Sequence, residues 1–157
     1  MSKSTEQAII DELRTQFSQE LLEAKATRNR RVFMEVSPQA YKPVVDYAVR
    51  TMGFTHLSTI TGLDSAKGFE IMPHLSRSGA VLTVKVTVPR EDPTVETITD
   101  LIPGAILYER EIHDLVGVVF RGHPGLERLV LHEGWPEGVH PLRKEYKAVQ
   151  PEPLRKA

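Results

Sequence analysis

"HLSTITGLDSAKGFEIMPHLSRSGAVLTVKVTV", residues 56–88, decides the fold class. It holds three strand-like runs, 56–65, 69–77 and 80–88, separated by the short turns "AKG" and "RSG". That is the spacing of antiparallel hairpins. The third run alternates Val81, Thr83, Lys85 and Thr87 with Leu82, Val84, Val86 and Val88. Because successive side chains point to opposite faces of a strand, one side is expected to be buried and the other half wet.

Toward the N-terminus, "RRVFMEV" (30–36) alternates in the same way and predicts another strand. Ser37-Pro38 is expected to open a helix, as a cap followed by proline in the first turn. Val44, Val45, Ala48 and Met52 form its apolar face, and Gly53 ends it. Further upstream Ile10, Leu13, Phe17 and Leu21 recur at spacings of three and four. This predicts an amphipathic helix over 5–27, capped by Ser4 or Thr5.

Toward the C-terminus, residues 92–118 predict two helical pieces. Ile98, Leu101 and Ile102 fit the first, and Pro103 breaks it. The second runs from about Ala105 to Val116, with Gly117 at the left-handed stop. Beyond it the periodicity is lost. Pro124, Pro136, Pro141, Pro151 and Pro153 mark an extended tail expected to pack weakly on the rest. The expected fold is α+β: a single domain, mainly antiparallel sheet with packed helices and an extended C-terminal tail. Its parts are an N-terminal amphipathic helix (1–29), the α+β domain (30–135) and a Pro-rich partner-binding tail (136–157).

Composition narrows the function classes. The 157 residues make room for one domain with a real core. A formal charge of -1 leaves no overall basic field for a polyanion. Cysteine is absent, so the chain can hold neither a Cys-ligated iron–sulfur cluster nor a redox disulfide, and a reducing compartment suits it. The acidic start "MSKSTEQAIIDEL" does not read as a signal peptide, and no window approaches a bilayer-spanning apolar length.

The titratable residues concentrate in "YEREIHDLVGVVFRGHPGLERLVLHEGW" (108–135). Glu109, Glu111 and Asp114 could include a general acid–base pair. On a helix, however, Glu109 would face His113 and Arg110 would face Asp114, as ordinary ion pairs. His113, His123, His132 and His140 are ten, nine and eight residues apart, without the close ligand pair that metal motifs show. His56 and His74 fall on strands and read as sheet residues. No phosphate-cradling glycine motif occurs. Phe69 gives the strands little base-stacking surface. In "GWPEGVHPLRKEY" the aromatics and Arg143 and Lys144 suit a protein interface, whereas the last six residues read equally well as a solubilising terminus.

The stretch "EREIHDLVGVVFRGHPGLERLVLHEGW…HPLRKEY" resembles the signature of the thirty-kilodalton subunit family of respiratory complex I. The resemblance rests on Glu109, Arg110, Glu111, Asp114, Gly117, Phe120, Gly122, His123, Pro124, Leu126 and Arg128, then Pro141, Leu142, Arg143, Lys144, Glu145 and Tyr146. Val116 stands where the family often has an aromatic. The resemblance covers roughly residues 30–147, and some positions are closer to the versions in energy-converting nickel–iron hydrogenases and formate hydrogenlyases.

It implies a non-catalytic scaffold subunit in the hydrophilic arm of a membrane-bound oxidoreductase complex, either hydrogenase or NADH/quinone type. The chain would bind no cofactor. Iron–sulfur clusters, and a nickel–iron centre or flavin, would reside in partner subunits. The implied partners are a hydrogenase-like large subunit and an iron–sulfur small subunit, at the cytoplasmic face of the cell membrane. No nucleic acid is expected. In this reading Arg110 and Asp114 lock the signature helix, "RGHPGLER" forms a fixed turn, and Arg143 and Lys144 anchor the tail on partner carboxylates. The alternative is a stand-alone metal-dependent enzyme using His113, His123 and Glu109.

Overall fold

The computed structural model describes residues 5–148. Among them run α1 (Thr5–Gln16), β1 (Leu21–Arg28), β2 (Arg31–Val36), α2 (Tyr41–Arg50), β3 (His56–Ser65), β4 (Gly68–Arg77) and β5 (Ala80–Val88). β6 (Thr94–Glu96), α3 (Ala105–Val116) and β7 (Val119–Arg121) follow. The five long strands form one sheet in the order β1-β2-β5-β4-β3, while β6 and β7 pair separately. Every contact in the large sheet is antiparallel except β2 with β5, which is parallel. The fold is α+β, as the alternating runs predict.

Alternation decides what faces the helices. Val32, Met34, Ile71, Leu75, Leu82, Val84, Val86 and Val88 are all buried, and α1, α2 and α3 contact this side through β2, β5 and β3. α3 packs on β3 at Gly62, where a Cβ would lie 2.7 Å from the Ile112 Cγ2, so glycine suits that approach. The opposite face is polar and partly wet. There Lys85 Nζ sits between Glu70 (3.1 Å) and Glu35 (3.5 Å), and His74 bridges Thr61 (3.0 Å) and Thr83 (2.9 Å).

Several expectations need correction. The N-terminal helix stops at Gln16, and 21–28 is a strand. The apolar spacing ran on through Leu21, but Glu20 and Leu21 both donate to Phe17 O in a turn that redirects the chain. The helix after Ser37-Pro38 begins only at Tyr41, with Ala40 at its N-cap and no side-chain cap. The first helical piece of 92–102 is instead β6 followed by a single turn at Ile98–Ile102. The second helix has the expected bounds, and Gly117 ends it at φ +85°. Ser4 and residues 149–157, including Pro151, Pro153, Arg155 and Lys156, lie outside the described residues.

The tail is extended, as expected, and no described residue of it is buried. Between Gly122 and Ala148 there is no helix or strand, yet this segment is tied to the domain by numerous hydrogen bonds. Irregular backbone has polar groups to satisfy, and those of residues 127–131, Leu142 and Lys144 find partners on α3 and β3.

Candidate functional site

An α-helix leaves its last four carbonyls without helical partners. At the end of α3 all four are taken. His113 O accepts from the Gly117 amide (2.9 Å), and Leu115 O from the Leu142 amide (2.9 Å). Asp114 O pairs with His140 Nδ1 (2.9 Å), and Val116 O accepts from Arg143 Nε (2.7 Å). Three of these partners belong to "HPLR" (140–143). The second half of the signature is therefore the C-terminal cap of the helix that carries the first half. The guanidinium of Arg143 also complements the negative end of the helix dipole.

Gly117 is required twice over. Its left-handed conformation suits glycine, and a Cβ there would lie 2.4 Å from Arg143 Nη2 and 2.5 Å from His140 Nε2. The Arg143 guanidinium then reaches over the buried Phe69 ring, 4.8 Å from its centroid, with Arg90 5.1 Å away. Asp64, buried on β3, completes the closure: it accepts from the Lys144 amide (2.8 Å) and pairs with Arg90. Burial alone would raise the Asp64 carboxyl, but that amide and that guanidinium outweigh it and hold it below the usual range.

Asp114 works in the other direction. Its Oδ2 accepts from three successive amides, Leu129 (2.9 Å), Val130 (2.7 Å) and Leu131 (3.0 Å). Burial pulls this carboxyl up, yet the three amides and nearby Arg128 hold it below its ordinary value. Arg110 grips the same loop one step earlier, donating to Glu127 O (3.0 Å) and Arg128 O (2.7 Å). Arg128 in turn donates to His132 O (2.9 Å) and Trp135 O (2.8 Å). Arg110 and Asp114, expected to lock the signature helix, instead bond the backbone of residues 127–131. The ion pair expected between them is replaced by these contacts.

Glu109 is fully buried. It accepts from the Ile98 amide (2.9 Å) and bonds Thr97 Oγ1 (2.5 Å), which is linked to Thr99 Oγ1 (2.9 Å). Burial drives its carboxyl up to about 7 against the pull of these donors. The expected Glu109–His113 pair does not form: His113 Nδ1 meets Val118 O (2.8 Å) instead.

The histidines disperse. His123 Nε2 bonds Ile106 O (3.1 Å), while its Nδ1 accepts from the Gly125 amide (3.0 Å), which assigns its proton to Nε2. His132 stacks edge-on to Trp135. Among the described residues no three histidines or carboxylates gather into a metal-holding group, so the His113–His123–Glu109 set is not assembled.

The remaining signature residues divide by exposure. Phe120 is buried, and Gly122 turns at φ +83° before Pro124. The Tyr146 ring lies 6.0 Å from that of Trp135. Glu111, Leu142 and Lys144 present their side chains outward. Sequence reading missed Thr97, Thr99 and Asp64 as partners of the signature, and nothing local to them signals that role.

The chain matches the family described as "Respiratory-chain NADH dehydrogenase, 30 Kd subunit" over residues 34–152. It is 32% identical to a subunit of the F(420)H(2) dehydrogenase of Methanosarcina mazei over 142 residues, 88% of this chain and 89% of that one. It is 38% identical to a NADH-quinone oxidoreductase subunit of Herpetosiphon aurantiacus over 100 residues, 60% of this chain and 57% of the relative. The chain thus spans little more than half of that relative's length. Among solved structures it is similar to the membrane-bound sulfane sulfur reductase, described as an archaeal respiratory membrane complex. There the TM-score is 0.79 and the identity 26%, with 90% of this chain and 85% of that one covered. A trypsin-resistant fragment of Nqo5 matches with TM-score 0.65 and 28% identity, covering 76% of this chain and 98% of the fragment. By the extent of the family match and of the Methanosarcina relative, the chain belongs to the family of the 30 Kd subunit of respiratory-chain NADH dehydrogenase.

Proposed function

We propose that the chain is a non-catalytic scaffold subunit in the hydrophilic arm of a membrane-bound, complex I-related oxidoreductase, of NADH/quinone or energy-converting hydrogenase type. One observation carries this reading. The polar signature residues Glu109, Arg110, Asp114, His123, Arg128, His140 and Arg143 bind groups of their own chain, mostly backbone. They build a rigid corner from α3, the 127–131 loop and the tail. No metal-holding group arises among the described residues. What such a corner offers is a shaped surface, with Leu129, Val130 and Leu142 exposed on it.

The occupants of that surface are, in this reading, a hydrogenase-like large subunit and an iron–sulfur small subunit. The redox centres belong to them, consistent with a chain that has no cysteine. In this reading the chain attaches peripherally through its partners, on the cytoplasmic face; among the described residues no helix is long and apolar enough to cross a membrane.

Purification of the tagged chain from native membranes in mild detergent, followed by mass spectrometry, tests the proposal. Co-purification with an iron–sulfur subunit, a hydrogenase-like large subunit and integral membrane subunits is the expected result. Nickel with hydrogen evolution, or flavin with NADH oxidation, then assigns the complex type. Recovery of the chain alone overturns the reading.

A further inference from the structure

A five-stranded open sheet has two edges, and this one treats them differently. β1 carries Glu23, Lys25 and Arg28 and has register shifts near both ends, the features that discourage strand addition. β3 has ten residues and a single register shift, between Leu57 and Thr59, and from Leu57 to Leu63 none is charged. The ends of that edge are closed by side chains: Tyr108 donates to Ser58 O (3.2 Å), and Arg90 to Ser65 O (3.0 Å). Between them, from Thr59 to Leu63, no backbone group bonds to anything but β4 among the described residues. A groove of about 210 Å³ runs beside this window between β3 and α3, lined by Thr59, Gly62, Glu111, Leu115 and Leu142. Its one charge is Glu111, which is exposed and has no ion pair among the described residues.

We propose that Thr59–Leu63 is a docking edge, to which an extended segment of a partner polypeptide adds as a sixth strand. This deepens the subunit reading above and rests on it. Unpaired strand amides and carbonyls are satisfied by another strand, which supplies main-chain hydrogen bonds while alternate side chains enter a flanking pocket. The incoming segment is therefore apolar at alternate positions, to meet Leu115 and Leu142, and carries a Lys or Arg opposite Glu111. That charge also argues against a second copy of this chain: two-fold pairing of β3 with itself would bring like carboxylates toward each other.

The chain lacks cysteine, so single cysteines are unambiguous probes. Thr59→Cys, Glu111→Cys and a Leu22→Cys control on β1 would be labelled with a benzophenone maleimide in the detergent-purified complex and irradiated. The expected result is that Thr59→Cys and Glu111→Cys cross-link to one peptide of a partner subunit while Leu22→Cys does not. Hydrogen exchange gives the second readout: amides within 59–63 should exchange at least tenfold more slowly in the complex than in the free full-length chain. Unchanged exchange at 59–63, with the chain still in the complex, overturns the docking edge and leaves the subunit reading intact. Cross-linking of the chain to itself overturns the assigned occupant. Recovery of the chain without partners overturns both readings.

Discussion

Arg143 Nε and Val116 O, 2.7 Å apart, join the two halves of a motif that the sequence keeps 27 positions apart. The same guanidinium lies against the Phe69 ring, so one side chain closes the end of α3 and roofs part of the core. Removing it leaves the last carbonyl of α3 without its partner. Arg143→Ala is expected to destabilise the chain by about 1–3 kcal/mol, the usual cost of orphaning such a group. Urea unfolding followed by circular dichroism reads this as a lower midpoint with unchanged slope. Assembly of the complex should fall with it.

Gly117 is tied to the same contact. Gly117→Ala adds a Cβ to a left-handed residue and pushes on Arg143 and His140. A loss of about 1–3 kcal/mol is expected from backbone strain with displacement of the cap. Combined with Arg143→Ala, the two losses should be less than additive, because the second substitution removes an atom the first collides with. Strict additivity in a double-mutant cycle would refute the shared contact.

Glu109 makes stability fall as pH rises. Its folded carboxyl titrates at about 7 rather than at its ordinary 4.5, so between those values the folded chain keeps a proton that the unfolded chain has lost. Its stabilising contribution is complete below the ordinary value and disappears as pH passes 7, a change on the order of 3 kcal/mol. Glu109→Gln keeps a carbonyl acceptor for the Ile98 amide, and it cannot ionise. The variant should melt higher than the parent at pH 8 and show a flatter melting profile between pH 5 and pH 8. A parent profile that is already flat would remove the premise.

Asp114 has the opposite sign. Its folded carboxyl lies below the usual carboxylate range, so its contribution is present near neutrality and is lost as pH drops through that lowered value. Asp114→Ala leaves three amides in search of an acceptor, and about 2–4 kcal/mol should be lost. Hydrogen exchange locates the effect: the amides of Leu129, Val130 and Leu131 should lose protection first, ahead of β4 and β5.

Legibility in the sequence follows the range of the interactions. β3, β4 and β5 could be read because their turns are local and each strand's apolar alternation belongs to itself. α3 could be read because Pro103 and Gly117 bracket it. β1 could not, since its edge position removes the alternation, and Leu21 happens to continue the helical spacing of α1. β6 failed for a different reason: three residues paired with three residues of β7 leave no pattern to see. The signature stretch was recognised whole, but the partners of its side chains were not. Asp64 meets Lys144 across 80 positions, and the HPLR segment meets the carbonyls of α3, which look the same for every residue type.

The parallel contact between β2 and β5 carries a consequence for biosynthesis. Val32 finds Leu82 only after fifty further residues have been made, including the whole β3–β4 hairpin. On the ribosome, β1 and β2 must therefore wait without their third strand, as a two-stranded ribbon with α1 alone to cover Val32, Met34 and Val36. Closing such a distant pair is entropically slow. The sheet edge of β2 thus stays open until β5 has emerged from the exit tunnel.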